Sequence, residues 1–294
     1  IYHGISSTTT FDSSVIRIRI DENKGDAYFW LGFFNSKFGK KIIQTIVEQV
    51  GAAGLRSTDL VNLPIPNFEI TVQKEIGIKI RKMLSIQAAM WEKIAELELI
   101  CKNIFDVWYD SSTSQRINLN KSIFTKGKVP TERNENYENG LVKLLSLDSL
   151  DGGDYEFVGK ENATIASDND ILMVMDGASS GRVFIGHSGA VGSTLAKVEH
   201  PDIPNYVLYY LLKRNRGPLA ETATGTSIPH VDKDFVKEIE IPNPRDEKRK
   251  MIDFDILAKK INIAISETNV FVRRLDRYRI ILMEKEIGKF LNHR

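Results

Sequence analysis

The sequence predicts an α+β fold in which two globular portions are separated by two long helices that pair as an antiparallel coiled coil. Three observations carry this prediction. Two segments of about forty residues repeat apolar positions at four-three spacing. The chain resembles itself at an offset of about 176 to 178 residues. Between the long segments lie short β-type runs set among loops rich in Gly, Ser, Thr and Asn.

In the first long segment Ile76, Ile80, Met83, Gln87, Met90, Ile94, Leu97, Cys101, Ile104 and Trp108 follow one another at spacings of four and three. The second offers Leu257, Ile261, Ala264, Thr268, Phe271, Leu275, Tyr278 and Leu282 in the same rhythm. A seam of this kind is a coiled-coil signature, with Gln87 and Thr268 either setting register or merely tolerated. Forty helical residues span on the order of 60 Å, so such helices hold domains apart; the alternative is a helical hairpin inside one core.

The duplication sets YFWLGFFNSKFGKKI from Tyr28 beside YVLYYLLKRNRGPLA from Tyr206, each an aromatic helix followed by a basic, glycine-containing turn. It also sets GAAGLRSTDLVNLPIPN from Gly51 beside GTSIPHVDKDFVKEIEIPN from Gly225, so that Ile65, Pro66 and Asn67 match Ile241, Pro242 and Asn243. A period this long is a duplicated domain plus helix rather than a solenoid. The predicted divisions are 1–68, a long helix over 69–109, a complete domain over 110–244 and a second long helix over 245–294. Val15–Ile20, VIRIRI, reads as a strand. The polar start without Met reads as though an upstream part of the first domain were absent. Within 110–244, Asn139–Leu147, Asn169–Met175 and Arg182–Gly186 are predicted strands, and Val207–Asn215 a helix.

Composition narrows function. The 294 residues are 42% hydrophobic and 27% charged, with a net charge of +1, so a polyanionic partner is neither demanded nor excluded and only local clusters decide. No apolar run reaches the ~20 residues of a membrane helix. The single Cys101 cannot form an internal disulfide, which fits a cytoplasmic location.

DGASSGRVFIGHSGAVGS, residues 176–193, imitates two enzyme motifs. GHSGA resembles a nucleophile elbow around Ser188, but GSTLAKVEHPDIP after it reads as loop and strand instead of the helix an elbow enters. The stretch from Asp176 to Gly181 lacks the Lys-Ser/Thr ending of a phosphate loop. A methyltransferase signature is missing as well, so no catalytic residue and no metal site is assigned. Gly177 and Gly181 suit a tight hairpin turn, and GHSGAVGS reads as a polar loop.

The order FTKGKVPTERNENYENG, LLSLDSLDGG, NDILMVMDGASSGRVFI, NYVLYYLLKR, TGTSIPHVDKDFVKEIEIPNP and then a long helix resembles the specificity subunit of type I restriction-modification enzymes. The resemblance implies two target recognition domains, the first present here only in its C-terminal portion. It further implies an antiparallel pair of spacer helices, double-stranded DNA read as a split site, and docking of methyltransferase subunits, expected to be two, with possible further contact to restriction or translocase subunits. Catalysis and its cofactors, S-adenosylmethionine for methylation and ATP with Mg2+ for restriction, belong on this reading to the partners, and none to this chain.

The loop chemistry agrees with base reading, which uses Arg or Lys for guanine, Asn or Gln for adenine, and hydroxyls as adaptable partners. Lys126, Lys128, Thr131, Arg133, Asn134, Asn136 and Tyr137 supply that mixture, although a plain solvated loop has the same composition. Ser179, Ser180, Arg182 and His187 are candidates from the glycine-rich stretch, and Thr226, Ser227 and His230 from TGTSIPH. Lys213, Arg214 and Arg216 suit phosphate contact or, alternatively, a helix C-terminus favoured by the dipole.

Overall fold

The computed structural model describes residues 16–50, 56–61, 63–221 and 230–292. They divide into two compact units. One takes the described residues up to Ile94 together with those from Glu267 onward; the other is Ala95–Ser266. Two long helices, α4 (Ile70–Ser111) and α9 (Pro244–Asn292), contribute one end to each unit.

The first unit is helical, with α1 (Ala27–Asn35), α2 (Lys37–Val50) and α3 (Ser57–Val61) beside the opening turns of α4 and the closing turns of α9. Asp26 caps α1 by accepting the Phe29 N–H at 2.8 Å. The Asp26 N–H in turn reaches Gln73 Oε1 on α4 at 3.2 Å. Phe29 and Phe33 are fully buried among Trp30, Phe68, Ile76, Ile80, Met83, Met283 and Ile287. A Cβ on Gly32 would lie 2.4 Å from Ile80 Cδ1, so glycine lets α1 sit directly on α4. Farther along, Gln87 is buried and donates to the Val272 carbonyl at 3.2 Å while accepting from Arg279 at 3.2 Å. Gln87, a polar residue of the predicted seam, therefore makes side-chain hydrogen bonds to the opposing helix.

The second unit is mixed. Its strands are β1 (Arg116–Asn118), β2 (Ile123–Lys126), β3 (Leu141–Leu145), β4 (Phe157–Gly159), β5 (Ile165–Ala166), β6 (Ile171–Val174), β7 (Val183–Phe184), β8 (Gly189–Val191), β9 (Leu195–Glu199) and β10 (Glu240–Pro242). Its remaining helices are α5 (Leu147–Leu150), α6 (Asn205–Arg214), α7 (Arg216–Glu221) and α8 (Lys233–Glu238). One sheet runs β2-β9-β6-β7, antiparallel throughout; another runs β4-β3-β8-β5, with β3 and β8 parallel; β1 pairs with β10.

Strand β6 shows why NDILMVM is an unbroken apolar run. Ile171 and Met173 face a core built on α6, Phe105 and Phe254, while Leu172 and Val174 face a second core with Leu145, Leu150 and Val191. Both faces of the strand are dry, so alternation disappears. The long helices enter the first of these cores through Cys101 and Phe105 from α4 and Met251, Phe254 and Ala258 from α9.

Four expectations change. VIRIRI forms no strand among the described residues: Ile16–Ile20 carry no regular secondary structure, and Ile18 is exposed; Val15 lies outside the described residues. The basic turn after the aromatic helix is itself helical, because Lys37 opens α2. GHSGAVGS is a loop only to Ser188; Gly189–Val191 is a buried strand, with Gly189 so close to the Lys143 carbonyl that a Cβ would stand 2.3 Å from it. The coiled-coil seam keeps its rhythm but moves in phase on α9. Leu257, Phe271 and Tyr278 are exposed, and their successors Ala258 and Val272 are buried, as are Ile265 and Met283. Ile261, Leu275 and Leu282 stay half-buried. On α4, Ile76, Ile80, Met83 and Ile94 are buried, Met90 and Leu97 half-buried, and Ile104 yields its place to Phe105. Adjacent columns of α9 are both apolar, and close helix packing selects the smaller Ala258 and Val272 over the bulky Leu257 and Phe271.

Candidate nucleic-acid interface

The loop after β2 is held by its backbone. Gly127 N–H donates to the Leu195 carbonyl at 2.8 Å, and Asn134 exchanges two main-chain hydrogen bonds with Phe157 at 2.9 and 2.8 Å. Tyr137 stands edge-on to the Phe157 ring at 5.6 Å, and Arg133 pairs with Glu156 at 3.0 Å. Laid along β4 in this way, the loop leaves Lys128, Thr131, Arg133, Asn136 and Tyr137 exposed, with Asn134 partly covered. A run of donors and one aromatic face on an anchored backbone is suited to reading base edges and to stacking.

The β6–β7 connection is the tight turn expected of Gly177 and Gly181, which take φ of 97° and 81°. Asp176 at its start draws together three elements, accepting from His230 Nδ1 at 2.6 Å and from Lys126 Nζ at 3.4 Å. Partial burial would raise the Asp176 pKa, but the hydrogen bond from His230 and the Lys126 charge outweigh it and hold the carboxyl below its ordinary value. Lys126, on β2, and His230, shortly before α8, thus meet at one point. Thr226 and Ser227 lie outside the described residues.

Ser180 is buried, with its hydroxyl donated to the Gly177 carbonyl at 2.5 Å, so it holds the turn instead of facing a ligand. Ser179 beside it is half-buried. Arg182 makes a two-pronged pair with Asp151, at 2.9 Å for one prong, and lies over the Phe184 ring at 5.0 Å. The guanidinium hydrogen bond keeps the Asp151 carboxyl below its usual range. His187 stands edge-on to Phe184 at 6.3 Å. Ser188 is exposed and leads into β8, so the geometry of a nucleophile elbow, strand then helix, is not formed.

The third cationic group pairs with α4. Lys213 and Arg214 occupy the last turn of α6, where Lys213 reaches Glu98 at 3.6 Å and Arg214 reaches Asp106 at 2.6 Å and Asp110 at 2.8 Å. Arg214 also lies over the Tyr109 ring at 4.8 Å. These contacts brace α6 on α4. Arg216 is exposed at the start of α7, and it and Lys128 are the candidate cations with no ion pair among the described residues. Sequence reasoning missed the carboxylates Glu156, Asp151 and Asp176, which hold Arg133, Arg182 and Lys126. They lie 23, 31 and 50 residues away from their cations, and no local spacing joins them.

The second unit is thus an α+β module whose loops carry polar and cationic side chains and whose core takes in one end of each long helix. Residues 118–269 match the family model described as the type I restriction modification DNA specificity domain. This chain belongs to that family. It is similar to the type I restriction enzyme MjaVIII specificity subunit of Methanocaldococcus jannaschii, 36% identical over 155 residues that make up 50% of this chain and 36% of the relative. The aligned part is thus little more than a third of that relative's length. Among solved structures, the S subunit of a type I restriction-modification system from M. genitalium aligns at TM-score 0.51 and 19% identity, covering 90% of this chain and 74% of its own. The HsdS subunit of Thermoanaerobacter tengcongensis aligns at TM-score 0.41 and 16% identity over 91% and 71%. No helix among the described residues is long and apolar enough to cross a membrane.

Proposed function

We propose that the chain is a non-catalytic subunit that reads DNA sequence and scaffolds a type I restriction-modification complex in the cytoplasm, recognising one half of a split site through its second unit. The observation that carries this is the family match over 118–269, which encloses the anchored loop after β2 and the Asp176 turn. Lys128, Arg133, Asn136, Tyr137 and His230 are its base- or backbone-contacting residues. Arg133 exchanges Glu156 for a base or phosphate on binding, because an exposed ion pair is weak and easily traded. Methyltransferase subunits, carrying S-adenosylmethionine, dock on the long helices, where Ile78 and Trp91 in the first unit and Leu99, Val107 and Ile256 in the second are large, apolar and exposed.

The test is to purify the intact protein with its methyltransferase and measure protection of a split DNA site across salt concentrations. Sequence-specific protection that weakens steeply with salt is expected; no sequence preference at any salt concentration overturns the reading. A second reading, a coiled-coil protein that binds methyltransferase subunits without reading DNA, draws on the same exposed helix faces. Replacing Arg133 and Arg182 together separates the two. DNA affinity falls on the first reading and is unaffected on the second, while partner binding persists in both.

A further inference from the structure

A cavity of about 680 Å³ opens in the second unit between β1, the segment after β9 and the start of α9. Its walls carry Lys121, Arg245 and Lys248, the amide side chains of Asn118, Asn120 and Asn243, and one carboxylate, Asp202, which Lys121 already pairs at 2.8 Å. The excess of cations over carboxylates favours an anion. His200 supplies a reporter in the wall. It lines the cavity yet is only 6% exposed. Its Nδ1 accepts the Asp202 N–H at 3.2 Å, which in the neutral ring places the proton on Nε2. Nε2 is buried, with no hydrogen-bond partner among the described residues, so it is the rest of the ring that borders the cavity. Burial also lowers the His200 pKa, which keeps the ring in this neutral form. The first amides of α9 are not the attraction, since Arg245 and Glu247 N–H groups are taken by Asn243.

Two features decide which anion. The cavity shares Pro201, Asp202, Pro244 and Lys248 with an adjoining apolar hollow that adds Ile203, Met251 and Ile252. A sugar-phosphate backbone has nothing to put there, whereas a peptide with neighbouring acidic and aliphatic side chains fills both. The cavity also lies at the far end of the β2–β9 pair from the reading loops. Ile123 pairs with Glu199 at the cavity end, and Lys126 pairs with Ala196 at the loop end.

We propose that this cavity is a docking site for an acidic-aliphatic segment of a protein partner, whose carboxylate lies between Arg245 and Lys248 beside the His200 ring while its aliphatic neighbour enters the hollow at Ile203 and Ile252. The site is separate from the DNA-reading loops and stands whether or not those loops read DNA.

The test titrates the full chain with the dipeptide N-acetyl-glutamyl-leucine amide while recording histidine ring nitrogen resonances. One ring, assigned by its loss in His200→Phe, shifts saturably. The glutaminyl analogue binds at least about tenfold more weakly. The exposed charge reversals Arg245→Glu and Lys248→Glu together abolish the shift and leave affinity for a double-stranded oligonucleotide unchanged; thermal melting of that double variant confirms folding. An unmoved His200 ring overturns the proposal, as does equal binding of the glutaminyl analogue. A fall of about tenfold in DNA affinity on the double reversal also overturns it, by assigning the cavity to a phosphate backbone.

Discussion

The two units solve one packing problem with different materials. In each, an aromatic helix sits on the opening turns of the long helix that follows it in sequence and on the closing turns of the other. In the first unit α1 meets Ile76 and Ile80 of α4 and Met283 of α9; in the second α6 meets Phe254 and Ala258 of α9 and Phe105 of α4. The start of each aromatic helix is tied to a long helix by a polar side chain, Gln73 to the Asp26 N–H and Asp255 to the Tyr206 N–H at 2.8 Å. The difference lies elsewhere. The second unit adds two four-stranded sheets and the β1–β10 pair and buries β6 on both faces, whereas the described part of the first has no strand; each unit also links its long helices by a polar contact, Gln87–Arg279 in the first and Trp108–Glu247, at 3.2 Å, in the second. The plan common to both is the aromatic helix on the helix pair, and the sheets are what carry the polar, cation-bearing loops.

The largest expected effect compares the aromatic anchors. Phe33→Ala in the first unit and Phe105→Ala in the second each empty a fully or almost fully buried site and cost about 3–5 kcal/mol. Hydrogen exchange resolved by residue checks whether each loss stays in its own unit; equal loss of protection at β6 from Phe33→Ala would show that the units unfold together. Next is the polar pair of the first unit. Gln87→Leu removes the partner of the Val272 carbonyl and leaves Arg279 with Asp276 alone, at a cost of roughly 1–3 kcal/mol, and a double-mutant cycle with Arg279→Met returns a coupling of about 1 kcal/mol in chemical denaturation.

Smaller effects separate the loops of the second unit. Arg182→Ala loses its partly exposed Asp151 pair and about 0.5–1 kcal/mol, while Arg133→Ala leaves stability within about 0.5 kcal/mol. Arg133→Ala instead reduces the salt slope of DNA binding by about one if the guanidinium meets a phosphate, or relaxes preference at one base pair if it meets guanine. The smallest is electrostatic. Burial raises the Asp255 pKa above its ordinary value, more than the Tyr206 N–H lowers it. Its stabilising contribution is therefore present below the unfolded pKa and lost as pH rises through the folded one. Asp255→Asn keeps an acceptor for Tyr206 without the buried charge, so it raises neutral-pH stability by roughly a few tenths of a kcal/mol. The gain disappears below about pH 4, where both side chains are neutral. Paired melting curves at the two pH values check it.

What the sequence alone determined was whatever depends on local pattern. Four-three spacing placed both long helices, turn chemistry placed the Gly177–Gly181 connection, and the apolar run of NDILMVM marked β6, because each of these is decided within a few residues. Motif order identified the family for the same reason. Tertiary structure decided what depends on partners distant in the chain. VIRIRI alternates as a strand does, but alternation cannot supply a neighbouring strand. Gly189–Val191 became a strand because β3 and β5 flank it, although its own residues are loop-like. The phase of α9 was settled by steric fit between two apolar columns that the pattern could not rank. The carboxylates holding Arg133, Arg182 and Lys126, and the cavity around His200, exist only where separated segments meet, since charge pairing and burial act through space and leave no period in the sequence.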